Sequence, residues 1–208
     1  MSRYVGPKCR QCRREGLKLF LKGERCNTHK CTITRREYPP GMHLWRRGKV
    51  SEYAIHLREK QKMKRYYGIL EREFRNIFAR ALKQKGNTGE NLVKLLERRL
   101  DNVVALAGFA ASHAQARQLI THGHIVVGER RVSKPSYRVA AGETIKVHKR
   151  DKSQKEVKDV VETTREREVP AWLQVDREAL EVNVVRLPER EEIGVPAQEQ
   201  LVVEFASR

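Results

Sequence analysis

Residues 112–132 read SHAQARQLITHGHIVVGERRV, and a change of period inside them decides the fold. Up to Gly123 the pattern is helical. Ser112 and, three residues on, Gln115 form a capping box; Ala116, Leu119 and Ile120 make one apolar face; Gly123 stands where a C-terminal cap belongs. Beyond it the period falls to two: His124-Ile125-Val126-Val127 and Arg130-Arg131-Val132 flank Gly128-Glu129, a Gly-X pair suited to a type II′ hairpin. Further strand is expected over 136–139 and 144–147, around a turn at Ala141-Gly142-Glu143. A helical hairpin joined to a small twisted sheet follows.

Upstream, Leu92, Leu95, Leu96, Leu100, Val103 and Val104 keep helical phase as far as Gly108, which predicts one helix capped by Thr88. Phe74, Ile77, Phe78, Ala81 and Leu82 predict another over 71–85, and Ser51 caps a basic helix that stops near Gly68. Downstream, 153–167 reads as an amphipathic helix with Val157, Val160 and Val161 inward. The remainder mixes Pro170, Pro188 and Pro196 with short apolar runs, the last being Leu201-Val202-Val203-Glu204-Phe205; short strands are expected there, with one short helix or turn near 189–193.

The chain has 208 residues and carries a net charge of +18, with 39% hydrophobic residues and a mean hydropathy of −0.70. That is a thin apolar supply for one large core, and no apolar run approaches the roughly 18 residues a membrane helix needs. The opening has charge but no apolar signal-peptide core, so the expectation is a soluble, intracellular chain. Such a surplus of one sign is self-repelling unless a polyanion neutralises it, and nucleic acid is the commonest one. The surplus is uneven: 1–66 carries +14, 67–150 carries +9, and 151–208 carries −5. The acidic end is expected to face solvent or a basic protein neighbour.

Residues 1–50 show few periodic apolar positions but hold all four cysteines, Cys9, Cys12, Cys26 and Cys31, spaced C-x2-C-x13-C-x4-C. Two short-spaced pairs across a turn-rich loop suit four thiolates around a metal, whose binding energy would replace the missing core. Zn2+ is the preferred reading; a four-iron four-sulfur cluster needs the same ligands. Two disulfides fit poorly without a secretory signal, four unliganded thiols are a further alternative, and His29 is a spare ligand or a surface or RNA-facing group.

At this point a resemblance can be read. Arg3-Tyr4-Val5-Gly6-Pro7, Tyr38-Pro39-Pro40-Gly41, Glu59-Lys60-Gln61-Lys62, Arg99-Leu100-Asp101-Asn102-Val103, Gln115-Ala116-Arg117-Gln118, His122-Gly123-His124-Ile125 and the closing Glu199-Gln200-Leu201-Val202-Val203-Glu204-Phe205 together resemble the family of bacterial-type small-subunit ribosomal protein four. The likeness covers essentially the whole chain. It implies an α+β fold: a mainly helical domain, a small RNA-binding module of two helices on a short twisted sheet, and a metal-organised N-terminal extension. The expected segments are 1–45 for the extension, 46–97 for the helical domain (completed by part of 168–208), 98–150 for the module, and 151–208 packing back on the body. The resemblance further implies a cytoplasmic, or organellar, ribosomal protein that binds the 5′ domain of 16S rRNA. Assembly, accuracy alongside small-subunit protein five, contact with mRNA where it enters, and repression of its own message are implied too. The chain departs from the family pattern at Ala105-Leu106, His113 and Gly128-Glu129, where cations or an Asn-Gly turn are usual.

The RNA-contacting set expected from charge and position falls in three regions. The extension supplies Arg3, Lys8, Arg10, Arg13, Arg14, Lys22, Arg25, Arg35, Arg36, Tyr38, Arg46, Arg47 and Lys49. The basic helix supplies Tyr53, Arg58, Lys60, Lys62, Lys64 and Arg65. The module supplies Arg99, Ser112, Gln115, Arg117, Gln118, His122, His124, Arg130, Arg131, Lys134, Ser136 and Tyr137. Cations neutralise phosphates, aromatics such as Tyr4, Tyr38, Trp45 and Tyr53 can stack on bases, and a helix N-terminus offers N–H groups to an anion. Local alternatives stand beside these roles: Ser112 and Gln115 can simply cap, and Arg99 can pair internally with Asp101.

Two competing classes are weaker. An RNA-modifying enzyme needs a catalytic domain, yet only about 60 residues follow the module, and no Gly-rich phosphate loop, H-E-x-x-H or G-x-S-x-G occurs. No small-molecule substrate is therefore expected. A zinc-ribbon DNA regulator would need a recognition helix that does not stand out. The basic helix lacks the bulky apolar face of a membrane binder.

Overall fold

A computed structural model describes residues 4–42 and 49–207. The expected contacts Arg3, Trp45, Arg46 and Arg47 lie outside them. The chain divides into two compact units, Met1–Val93 with Gly194–Arg208, and Lys94–Ile193.

The first unit is helical: α1 (Lys8–Glu15), a 3-10 turn (Gly23–Cys26), α2 (Thr32–Arg35), α3 (Glu52–Tyr66), α4 (Glu71–Leu82) and most of α5 (Thr88–Glu97). Ser51 caps α3 by accepting the Ala54 N–H at 3.3 Å. Phe74, Ile77, Phe78 and Ala81 of α4 are buried, so its apolar stripe is core. The expected cap Thr88 lies inside α5; Asn87 does the capping, its Oδ1 accepting from the Gly89 N–H at 2.9 Å.

The last apolar run is a helix and not a strand. Residues Glu199–Ser207 form the final helix of the chain, which packs on α3, with Phe205 against Tyr53 (centroids 5.3 Å apart) and the Gln198 N–H bonded to Glu59 Oε2 at 2.9 Å. Five residues read as well in either period, and packing on α3 decides.

The second unit holds α6 (Leu100–Leu106), α7 (His113–His122), α8 (Asp151–Thr163) and an antiparallel sheet of β1 (Ile125–Val127), β2 (Arg130–Arg131), β3 (Thr144–Val147), β4 (Leu173–Asp176) and β5 (Glu181–Val184), in the order β2-β1-β3-β5-β4. The final helix, introduced above, is α9. Register pairs Val127 with Ile145 and Ile145 with Val182, so one face presents alternate aliphatic residues to the core. There they meet Leu100, Val103 and Val104 of α6, Leu119 and Ile120 of α7, Val157 of α8, and Trp172. Each such buried side chain contributes about 1.5–3 kcal/mol.

Two expectations fail here for one reason. The single helix over 88–107 breaks at Arg98-Arg99, and 136–139 is not a strand but one bridge, Arg99 with Arg138. The carbonyls of Tyr137 and Pro135 accept the Leu100 and Asp101 N–H groups at 2.8 and 3.2 Å, while the Val139 N–H bonds to the Arg98 carbonyl. The segment spends these backbone groups on the turn at Arg98-Arg99 and the start of α6 and not on a sheet strand. The Gly128-Glu129 hairpin forms as read, with Gly128 at φ 59°.

Candidate nucleic-acid interface

At the start of α7, Ser112 Oγ accepts the Gln115 N–H at 3.4 Å. Gln115 Oε1 accepts from the Ala111 N–H at 2.9 Å, one residue before the partner a capping box would give it. At the other end Gly123 caps α7 at φ 73°. The Arg131 guanidinium lies over the bare Gly123 Cα and donates to the His122 carbonyl at 2.9 Å. A Cβ at Gly123 would stand 2.0–2.4 Å from that guanidinium and displace it, and the positive φ favours glycine here. The hairpin is thereby fastened to the end of α7.

Around this junction Gln118, His122, Arg130, Arg131 and Lys134 are exposed. His124 Nδ1 shares a hydrogen bond with Ser153 Oγ of α8 at 2.8 Å. Burial lowers the His124 pKa; Glu156 opposes this, and His122, Arg131 and Lys152 reinforce it. Lys152 therefore belongs to this cationic surface. Sequence reasoning missed it because it opens a segment of net negative charge.

Behind the surface lies a buried polar network. Arg99, 2% exposed, makes two bonds to Asp101 at 3.0 and 2.9 Å, and Arg117 adds a third at 3.2 Å. Asn102 joins the Glu97 carbonyl to His113, whose Nε2 lies 2.8 Å from Asn102 Oδ1. Burial drives the His113 pKa down to about 4, leaving it neutral at pH 7. Arg99 is thus an internal ion-pair partner and not a surface contact, and Arg117 is anchored at its tip. Tyr137 donates to Glu143 at 2.6 Å, which raises its pKa, and Ser136 is half-buried.

In the helical unit the structure consumes much of the expected basic set. On α3, Lys62 pairs with Glu59 at 2.5 Å, and Lys60 and Lys64 pair with Glu71 at 2.5 and 2.7 Å. Burial alone would raise the Glu71 pKa, but these two lysines hold it at about 2. Lys60 is itself buried, its Nζ 5.7 Å from the Phe74 ring and 5.2 Å from that of Phe205. Arg58 and Arg65 both pair with Glu15 of α1. Burial raises the Glu15 pKa and lowers that of Arg65, and each is opposed first by the other.

Arg13 donates to the Tyr38 and Pro39 carbonyls and stacks on the Tyr38 ring at 4.8 Å, while Arg14 donates to the Pro40 carbonyl at 3.1 Å. These strap the Tyr38-Pro39-Pro40 turn to α1. Lys8 bonds the Tyr4 carbonyl. Arg10, Lys22, Arg25, Arg35, Arg36, Lys49 and Tyr53 remain exposed. So do Arg72, Arg75, Arg80, Lys83 and Lys85 on and just after α4, opposite its apolar stripe. That stripe is the sequence signal for them, since it fixes the face of α4 that turns outward.

The four cysteines are free thiols: Cys9 half-buried on α1, and Cys12, Cys26 and Cys31 buried. Burial raises the pKa of Cys12 and Cys26, against one backbone N–H bond each, from Leu19 and Lys22. The donor set suits a thiolate-binding metal. Among the described residues, however, no group of three or more His, Cys, Asp or Glu side chains is gathered as ligands. The expected metal-organised extension is therefore not shown. What packs this segment is a small cluster of Cys12, Leu19 and Leu21 with Leu17, Ile33 and Tyr66. No helix among the described residues is long and apolar enough to cross a membrane.

Comparison with known proteins bears on the same regions. Residues 3–97 match the family model of the ribosomal protein S4/S9 N-terminal domain, and 98–145 match the S4 domain. Over the full length of both chains, this one is 55% identical to small ribosomal subunit protein uS4A of Symbiobacterium thermophilum. It is 52% identical to uS4 of Thermodesulfovibrio yellowstonii and 53% to uS4 of Thermus thermophilus.

Proposed function

The chain belongs to the ribosomal protein S4 family of the small subunit, and on that footing we propose that it binds the 5′ domain of 16S rRNA and nucleates assembly of the subunit. The family is one of structural ribosomal proteins and not of enzymes. The carrying observation is the surface at the α7–hairpin junction, where Gln118, His122, Arg130, Arg131 and Lys134 stand exposed on a rigid support beside Lys152. Folded RNA is held mainly through shape, phosphates and 2′-hydroxyls, and such a support fixes cations against a backbone.

In the same reading the protein meets small-subunit protein five in support of accuracy and touches mRNA where it enters the subunit. It also represses its own message. The acidic 151–208 segment is the part suited to basic protein neighbours. Cys9, Cys12, Cys26 and Cys31 would hold Zn2+, or a four-iron four-sulfur cluster, which when bound would tie the ends of the extension together. Filter binding of the protein to a 16S 5′-domain transcript across a salt series tests the reading. The expected result is tight binding that falls steeply as salt rises. Equal affinity for any duplex of similar length would defeat it.

A further inference from the structure

We propose that the seam between α1 and α3 is a phosphate-binding site for RNA, in which buried Glu15 holds Arg58 and Arg65 as a two-guanidinium fork. The inference rests on the rRNA-binding reading above and deepens it.

Glu15 ends α1, and its side chain is 0% exposed. A fully buried carboxylate is an odd feature in the most basic third of a polyanion binder, since it repels phosphate and is costly to desolvate. Its Oε1 accepts from Arg58 Nη1 at 3.4 Å and from Arg65 Nη1. Its Oε2 is buried and has no hydrogen-bond partner among the described residues. Among the described residues, the hydrogen bonds of this carboxylate thus run to two arginines seven residues apart, two turns along one face of α3, and Lys62 and Glu59 of the same helix also feel its charge, with opposite sign.

Those arginines are held from beneath and open above. Their side chains are 31% and 23% exposed, and each guanidinium carries five N–H donors, of which one is engaged on Glu15. One negative charge cannot neutralise two positive ones, so the pair keeps a surplus of about one positive charge facing water. Arg14, beside Glu15 in sequence, adds another; its guanidinium is steadied by the Pro40 carbonyl. The lysines of the same helix differ. Lys60, Lys62 and Lys64 have carboxylate partners of their own at 2.5–2.7 Å, on Glu59 and Glu71. A guanidinium fixed in place forks onto phosphate oxygens without first losing rotamer freedom, which an ammonium cannot match. In this arrangement Glu15 is a positioning residue and does not touch the RNA.

The sign of the effect separates positioning from bulk electrostatics. Glu15→Gln raises the net charge by one, so if the carboxylate merely repelled phosphate, RNA affinity would rise. Filter binding of the full chain to the 16S 5′-domain transcript across a salt series, with Glu15→Gln and Arg58→Lys beside the unaltered protein, reads this directly. The fork predicts that Glu15→Gln binds about tenfold more weakly despite its extra charge. It predicts a salt slope shallower by about 0.7–0.9, the loss of one phosphate contact. Arg58→Lys, which keeps the charge, is expected to bind several-fold more weakly. Glu15→Gln binding as tightly as the unaltered protein, or tighter, overturns the proposal. If that variant does not fold, unchanged affinity in Arg58→Lys overturns it alone. Failure of the unaltered protein to bind the transcript defeats the RNA reading itself and the fork with it; normal binding with both variants unaffected defeats only the fork.

Discussion

Replacing Asp101 by Asn should unfold the Lys94–Ile193 unit at a much lower temperature while leaving its shape nearly unchanged when folded. Asp101 has 3% of its side chain exposed and faces Arg99, with 2%, and Arg117, with 13%. The amide keeps the volume but removes the carboxylate that is bonded to both arginines. Arg99 then loses the carboxylate to which it makes two bonds in a nearly dry site, and breaking a buried pair of this kind costs about 3–5 kcal/mol. For a unit of about 100 residues each kcal/mol shifts the midpoint by about 4–8 °C, so a fall of about 12 °C or more is expected. Thermal unfolding followed by the near-ultraviolet signal of Trp172, which is fully buried in this unit, reads it. The double variant Arg99→Met, Asp101→Leu removes both buried charges and should recover most of the loss, because Arg117 can turn to water. A fall of less than about 4 °C in the single variant, or no recovery in the double, would refute the reasoning that Asp101 is needed to balance these buried arginines.

Further outcomes follow from the same geometry. His113, with a folded pKa of about 4, stays neutral while the unfolded chain takes up a proton below about pH 6.5; stability should fall by about 3 kcal/mol between those values and then level off. Denaturant titrations at several pH values should show this slope, and His113→Asn should flatten it. Gly123→Ala strains a residue at φ 73° and evicts Arg131 from its place over α7; a loss of about 1–2 kcal/mol is expected, with faster hydrogen exchange in the 128–131 hairpin. Cys9→Ser with Cys12→Ser should speed exchange across 4–42 and leave 94–193 protected; native mass spectrometry of fresh protein should find bound metal, and its absence would argue against the site.

The parts legible in the sequence are those where local chemistry and tertiary packing agree. The α3 and α7 caps, the α4 stripe and the Gly128 hairpin each follow from a few neighbouring residues. The break at Arg98-Arg99 did not show, because the apolar period runs unbroken from Leu92 to Val104 and the segment that caps α6 arrives from more than 30 residues away. α9 was not legible because its five apolar-rich residues fit either period. The short strands expected after Val169 form as β4 and β5, but their place at the edge of the sheet beside β3 was not legible; their turn is set by Asp176 Oδ1 accepting two N–H groups, with Leu180 at φ 55°.

For the interface, charge marked the right chain but could not say which cations are committed elsewhere. Arg99, Lys60 and Arg13 look in sequence like Arg130 or Lys134, yet each is tied to a carboxylate or carbonyl inside the fold. Lys152 and the α4 cations are not marked by segment charge alone, because Lys152 opens a net acidic segment and the α4 cations are placed only by the apolar phase of their helix. The cysteine spacing suits a metal, and the convergence of the thiols is a three-dimensional property that spacing does not supply.

The central claim is that this polycation is a built-in part of the small ribosomal subunit. Sedimentation of ribosomes from cells producing the tagged chain, washed in high salt, tests it most directly. The chain should remain with the small subunit at about one copy each. Recovery at the top of the gradient, or on the large subunit, would contradict the account.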